Sequence, residues 1–129
     1  MRVLGVDPGL GITGFSIIDQ ARGKLHLSAY GTIKSPPKDT LPKRLNYIFQ
    51  ELTKILDQFS PDILAIEDAF YSKNVKSAMT LGQARGAIIL SAAQADLSVY
   101  EFAPRKVKMS VCGNGAASKE QVSYMVTQI

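Results

Sequence analysis

The chain has 129 residues, of which 46% are hydrophobic and 20% are charged. This length predicts one domain with a core that needs neither a disulfide nor a structural metal. The single cysteine, Cys112, excludes an internal disulfide and predicts a cytoplasmic protein. No apolar stretch approaches the ~20 residues that a membrane-spanning helix needs. The formal net charge of +4 favours an anionic partner, above all nucleic acid.

The chain opens with an apolar run that breaks at an acid and a turn and then resumes. Residues 3–6 predict a buried strand that ends at Asp7, and residues 12–19 predict a second, antiparallel strand. Residues 25–33 predict a third. The turn after Pro8 has few side chains, so a bulky anion could approach its backbone beside the carboxylate. The same residues could be only a turn former, because Asp, Pro and Gly dominate turns of every kind.

Two helices and two more strands are predicted next. Residues 41–59 carry apolar side chains at the three-and-four spacing of one helical face. The continuous apolar run at 63–66 suits a strand buried on both faces of a parallel sheet. Residues 75–94 predict a second helix, 97–102 a fifth strand, and Ser118 begins a last helix. The expected fold is α/β, a five-stranded mixed sheet with helices on both faces, in which strands four and five run parallel to strand one.

Two buried strands of this sheet end in an acid at the same end. Neighbouring strands lie ~4.8 Å apart, so Asp7 and Glu67 could share one divalent ion. Asp68 should face the other way, because adjacent strand residues point to opposite faces. Mg²⁺ prefers such oxygen ligands, and two ions can assist phosphodiester hydrolysis. His26 and Cys112 are the only histidine and thiol, which disfavours a zinc site, a Ser-His-Asp triad and a Cys-His pair.

The second helix is rich in small residues. Ala78, Gly82 and Gly86 lie four apart on one face, and an interior glycine costs up to ~1 kcal/mol relative to alanine. Close approach by another backbone, either the sheet or a second subunit, would compensate. Few charges other than Lys76 and Arg85 interrupt the helix, so we expect burial on most sides. That degree of burial indicates a homodimer.

The loop after the second acid contains two aromatic residues and a lysine. Phe70 or Tyr71 could stack on an unstacked DNA base, a contact of ~1–3 kcal/mol, with Lys73 beside them. Either aromatic ring could instead pack on the edge of the core.

Basic residues cluster again after the fifth strand. Arg105, Lys106 and Lys108 lie close together, and Lys119 stands at the start of the last predicted helix. Lysine, arginine and helix N-termini supply most phosphate contacts, so these residues predict a DNA-binding surface. They could also form only a solvated face.

Four segments carry a resemblance to a known family: GVDPGLGITGFSII, AIEDAFYSKN, LGQARGAIILSAA and APRKVKMSVCGNGAASKEQV. In this order they resemble the RuvC family of bacterial Holliday-junction resolvases, and the resemblance covers the whole chain. It implies an RNase H-like homodimer that makes paired cuts in four-way DNA junctions during recombination and repair. It also implies Mg²⁺ or Mn²⁺, two ions per complete site, and a branch-migration helicase as partner.

The resemblance further implies roles for individual residues. The family's first two carboxylates match Asp7 and Glu67, and its junction-contacting aromatic matches Phe70. Lysines of its DNA face match Lys108 and Lys119, and the helix with LGQARG matches its dimer contact.

The sequence departs from the family pattern in its acids. The family site has two more acids on a C-terminal helix, whereas no Asp or Glu follows Glu120 here. We therefore expect residues 1–129 to be a single nuclease domain that lacks this acidic helix. One alternative is a junction-binding module that does not cut. Another is a phosphate-binding domain of the actin-like ATPase or sugar-kinase type, for whose second domain the chain is too short.

Overall fold

The computed structural model of the chain describes residues 1–68 and 74–102. In chain order, its elements are β1 (Arg2–Asp7), β2 (Ile12–Ala21), β3 (Lys24–Lys34), α1 (Leu41–Phe59), β4 (Ile63–Glu67), α2 (Val75–Gln94) and β5 (Ser98–Phe102). Both helices have the predicted bounds, and no strand end differs from its prediction by more than two residues. The last predicted helix, from Ser118, lies outside the described residues.

The five strands form one mixed sheet in the order β3-β2-β1-β4-β5. β2 pairs antiparallel with both β1 and β3, whereas β4 runs parallel to β1 and β5 runs parallel to β4. The predicted α/β architecture with a five-stranded mixed sheet and helices is confirmed.

The β2–β3 hairpin has a two-residue turn and a bulge. Arg22 and Gly23 form the turn with φ values of 54° and 74°, the left-handed backbone that a type I′ turn requires. The β3 register shifts opposite Ile17 and Ile18, where Ser28 is an extra residue without a pairing partner. The bulge changes which β3 residues face each side, because it adds one residue to an alternating strand.

The main core lies between one face of the sheet and both helices. Leu4, Val6, Leu64 and Ile66 point from the central strands into this core, and side chains of α1 and α2 meet them. The helices also contact each other, so both cover the same face. Helices on both faces were predicted; the described helices cover one face, and the last predicted helix lies outside the described residues. On the opposite face, Val3 is fully buried too, as are other residues of the central strands. Burial on both faces is what the apolar runs predict.

Arg2 links three elements at the end of the sheet far from Asp7. The Arg2 guanidinium donates to both Asp19 carboxylate oxygens, at 2.8 and 3.2 Å, and to the Phe59 carbonyl at 2.7 Å. These hydrogen bonds, with one from Ser28, hold the pKa of Asp19 below its usual range. The same pairing raises the pKa of Arg2. Through these hydrogen bonds, Arg2 links β1 to β2 and to the end of α1.

Helix α2 corrects one expectation, because the described residues bury it on one side only. Its buried residues are Ala84, Ile88, Ser91 and Ala92. On the open side, Val75, Met79 and Leu90 are 75%, 61% and 52% exposed. A Cβ built on Gly82 or Gly86 would meet no atom of residues 1–68 or 74–102 within 4 Å. The sheet is therefore not the backbone that these glycines approach. Neither described helix is long and apolar enough to cross a membrane.

Candidate active site

The two predicted site acids lie side by side at one end of the sheet. β1 and β4 are parallel neighbours, with Val6 beside Ile66. One residue further on, Asp7 and Glu67 end these two strands. Because side chains alternate, both acids lie on the face opposite Val6 and Ile66, away from α1 and α2. Their backbones are ~4.8 Å apart, the spacing of neighbouring strands.

This pair of acids fits a hard divalent cation. Asp7 is exposed and Glu67 is partly exposed, so both can be reached from solvent. Two carboxylates together with water and substrate phosphate oxygens are the donors with which proteins usually bind Mg²⁺. In the part of the chain that the structure describes, no group of three or more His, Cys, Asp or Glu residues could hold a metal ion. The described residues therefore offer two carboxylates at this end of the sheet.

Asp68 belongs to the other face, as the alternation predicts. Arg85 of α2 lies 2.6 Å from Glu101 and 3.9 Å from Asp68, measured between Nη2 and the carboxylate oxygens. The Asp68 backbone N–H donates to the Phe102 carbonyl at 2.6 Å. Arg85 is only 15% exposed, so α2 is fastened to the strand ends directly behind Glu67.

The turn after Asp7 leaves no room for a side chain at Gly9. The Thr13 hydroxyl donates to the Gly9 carbonyl at 2.7 Å and accepts from its N–H at 3.3 Å. A Cβ built on Gly9 would lie 2.3 Å from the Ile12 carbonyl oxygen. This contact is the structural reason for glycine at that position.

A second set of hydrogen bonds supports the same turn from outside the hairpin. The Ser35 hydroxyl donates to the Leu10 carbonyl at 2.5 Å, and the Ser35 N–H donates to the Gly11 carbonyl at 3.2 Å. Arg44 of α1 donates from Nε to the Ser35 hydroxyl at 2.9 Å. The turn beside Asp7 is thus held by both the sheet and a helix. The roles of Thr13, Ser35 and Arg44 in this turn were not predicted from the sequence.

The remaining predicted site residues fall into two groups. Ala78, Gly82 and Gly86 are all exposed on α2. The predicted DNA-contacting residues lie outside the described residues: Phe70, Lys73, Arg105, Lys108 and Lys119. Their roles stay predictions.

Known proteins resemble this chain over almost all of its length. The family "Crossover junction endodeoxyribonuclease RuvC" matches residues 3–129. A protein of that name from Finegoldia magna is 48% identical over 129 residues, which are 100% of this chain and 79% of the relative. A Vibrio vulnificus protein of the same name is 48% identical over 124 residues, 96% of this chain and 71% of the relative.

Solved structures agree with the sequence relatives. T. thermophilus RuvC in complex with a Holliday junction substrate superposes with a TM-score of 0.79 at 30% identity, covering 99% of this chain and 78% of that one. The yeast mitochondrial Holliday junction resolvase Ydc2, with a TM-score of 0.63 at 12% identity, shows the shared fold alone. These matches confirm the RNase H-like fold and favour the nuclease over the kinase-type alternative. The chain belongs to the RuvC family of crossover junction endodeoxyribonucleases.

Proposed function

We propose that residues 1–129 form the nuclease domain of an enzyme that resolves four-way DNA junctions during recombination and repair, with Asp7 and Glu67 as its metal-binding carboxylates. One observation carries the proposal: the two acids end neighbouring parallel strands on one face of the sheet. The junction as substrate is inferred from the T. thermophilus relative, which was solved with one.

The carboxylates and the turn have distinct tasks in this reaction. Asp7 and Glu67 would hold Mg²⁺ or Mn²⁺, and the hydrogen bonds from Thr13 and Ser35 to the turn keep Asp7 in place. An ion bound there would supply Lewis acidity for the hydrolysis. Hydrolysis then adds water across one P–O bond of the backbone. Holding the carboxylates on rigid strands avoids reorganising them during the reaction.

DNA contacts are assigned to the residues that follow the site acids. Phe70 and Lys73 come within six positions of Glu67 in the sequence. In this proposal, Phe70 makes an aromatic contact and Lys73 a positively charged contact near the cleaved phosphate. Arg105, Lys108 and Lys119 supply further phosphate contacts. Each lysine that neutralises a phosphate contributes about −0.9 to the slope of log K against log salt.

The open side of α2 is proposed as the contact with a second copy of the chain. Ala78, Gly82 and Gly86 are exposed there, beside the exposed apolar side chains of Val75 and Met79. A homodimer would give close approach to the glycines and supply the second site that paired cuts need. The branch-migration helicase is a further partner that the family resemblance implies.

Sedimentation velocity of a Gly82→Leu variant tests the dimer. We expect a weaker dimer, because the added side chain would separate the two backbones. Gln50→Leu adds the same side chain at an exposed position of α1 and should leave the dimer unchanged. A wild-type protein that stays monomeric at high concentration would contradict this part of the proposal.

The catalytic assignment is tested with substitutions of matched size, in the protein as its gene encodes it. Asp7→Asn and Glu67→Gln should abolish Mg²⁺-dependent cutting of a four-way junction while binding persists, because the carboxylates hold metal and the basic residues hold DNA. Asp57→Asn, at an exposed position of α1, is the control. Titration with Mn²⁺, followed by calorimetry, should show weakened binding in the two site variants. Wild-type cutting rates in both would refute the assignment.

A further inference from the structure

The edge strand β3 carries an exposed aromatic side chain on the same face of the sheet as the site acids. Thr32 pairs with Gly14, and Gly14 pairs with Asp7. Tyr30, two residues before Thr32, shares that face because alternate residues of a strand point the same way. Tyr30 is 74% exposed.

In the row of paired residues that joins Thr32 to Asp7, β2 contributes no side chain. Gly14 has no side chain, and a Cβ built there would lie 3.9 Å from the Asp7 Cβ. Thr32 and Asp7 are exposed and Gly14 is partly exposed, so this row is open from β3 to the acid.

A positive charge extends the same surface. Lys34 lies two residues beyond Thr32, is exposed, and pairs with the exposed Ile12. Tyr30, Thr32 and Lys34, here called the β3 platform, thus line one edge of the face that holds Asp7.

The dimensions of the β3 platform match a DNA strand. Thr32 is two strands from Asp7, or ~9.6 Å, and Tyr30 is ~6.8 Å further along β3, so the Asp7 and Tyr30 backbones are ~12 Å apart. A DNA strand rises 3.4 Å per nucleotide in a duplex. A strand with its cleaved phosphate at Asp7 would reach Tyr30 within about three or four nucleotides.

We propose that the β3 platform binds the DNA strand that enters the Asp7–Glu67 site, with Tyr30 stacking on a base or deoxyribose and Lys34 contacting a phosphate. This inference rests on the proposed nuclease function. It identifies DNA as the occupant because the surface is continuous with the acids and carries a complementary charge. A second copy of the chain is assigned elsewhere, to α2 on the opposite side of the sheet.

Junction affinity of Tyr30 variants is the main test. Tyr30→Ala should weaken binding of a four-way junction about fivefold or more, because one base–aromatic stack contributes ~1–3 kcal/mol. Tyr30→Phe keeps the ring and should bind as the wild type does. Fluorescence anisotropy gives the dissociation constants, and circular dichroism checks that each variant is folded.

A lysine pair supplies the matched control for charge. Lys34→Ala should make the slope of log K against log salt shallower by about 0.9. Lys24 lies on the same strand, but its side chain is on the other face, and Lys24→Ala should leave the slope unchanged. Equal slopes for the two variants would place the phosphate contact elsewhere.

The remaining outcomes separate this inference from the function on which it rests. If the wild type binds the junction and Tyr30→Ala binds equally well, the β3 platform is not a DNA surface, while the proposed function stands. If Tyr30→Ala disrupts the dimer and each remaining dimer binds normally, the occupant is a second copy and the inference is wrong. A wild type with no preference for junctions would overturn the proposed function and this inference with it.

Discussion

Replacing Gly9 by alanine tests the claim that the turn beside Asp7 is built without room for a side chain. The new Cβ would lie 2.3 Å from the Ile12 carbonyl oxygen, so the backbone has to shift. Forcing an extra carbon into a packed site typically costs about 1–3 kcal/mol. For a chain of this size, that corresponds to a fall in Tm of about 3–18 °C. Mn²⁺ affinity should fall as well, because Asp7 is two residues away.

Gly11 of the same turn provides the matched control. Its Cβ would meet Arg44 Nη2 at an ordinary 3.9 Å, and no nearer atom of the described residues. Gly11→Ala should therefore be neutral, or should stabilise the protein by up to ~1 kcal/mol through the lower entropy of the unfolded chain. Urea unfolding measures the stability of the wild type and of the two variants, and similar m values for all three allow their midpoints to be compared. Equal midpoints for Gly9→Ala and Gly11→Ala would refute the reasoning.

Three further predictions concern the supports of the fold. Arg85→Ala should lower the free energy of unfolding, measured with urea, by about 1–3 kcal/mol, because it leaves Glu101 and Asp68 without their partner. Lys54→Ala removes only an exposed ion pair with Glu51 and should change that free energy by less than about 0.5 kcal/mol. The pKa of Asp19 is lowered in the folded state, so its pairing with Arg2 stabilises the protein above pH 3.8, the unfolded value, and this stability is lost as the pH falls through the folded pKa. Asp19→Asn should therefore be less stable at neutral pH and lose stability less steeply below pH 3.8, as acid titration of urea midpoints would show. Ile88→Val should cost about 0.5–1.5 kcal/mol, since that side chain is fully buried between the helices and the sheet; a midpoint equal to that of the wild type would argue against this packing.

Local patterns were sufficient to predict most of the fold. The apolar stripe of α1 and the short run before Glu67 define their elements without long-range information, and both were predicted within one residue. The placement of Asp7 beside Glu67 could also be predicted. A crossover helix between two apolar strands leaves few arrangements of those strands other than parallel neighbours. The two acids were therefore predictable as neighbours at one end of the sheet.

The features that the sequence did not predict depend on contacts between distant parts of the chain. The composition of α2 shows that few charges interrupt it, but composition cannot tell which side packs on the sheet. Ser35 lies 25 residues from the carbonyl that it binds, and Arg44 supports it from a helix. Serine before prolines and arginine near a helix start are common, so neither gives a local signal for a role in the turn beside Asp7.

The parallel pairing of β1 with β4 has a consequence for how the site comes into existence during folding. The β1–β2–β3 meander has local contacts, of the kind that form in microseconds in isolated hairpins. Asp7 and Glu67 are about 60 residues apart, and bringing their strands together requires closure of a long loop and packing of α1. A chain that has formed only the meander would contain Asp7 but no carboxylate pair. Cation binding at the two acids would therefore report that this non-local step is complete, and a bound ion would stabilise the native chain over every earlier form.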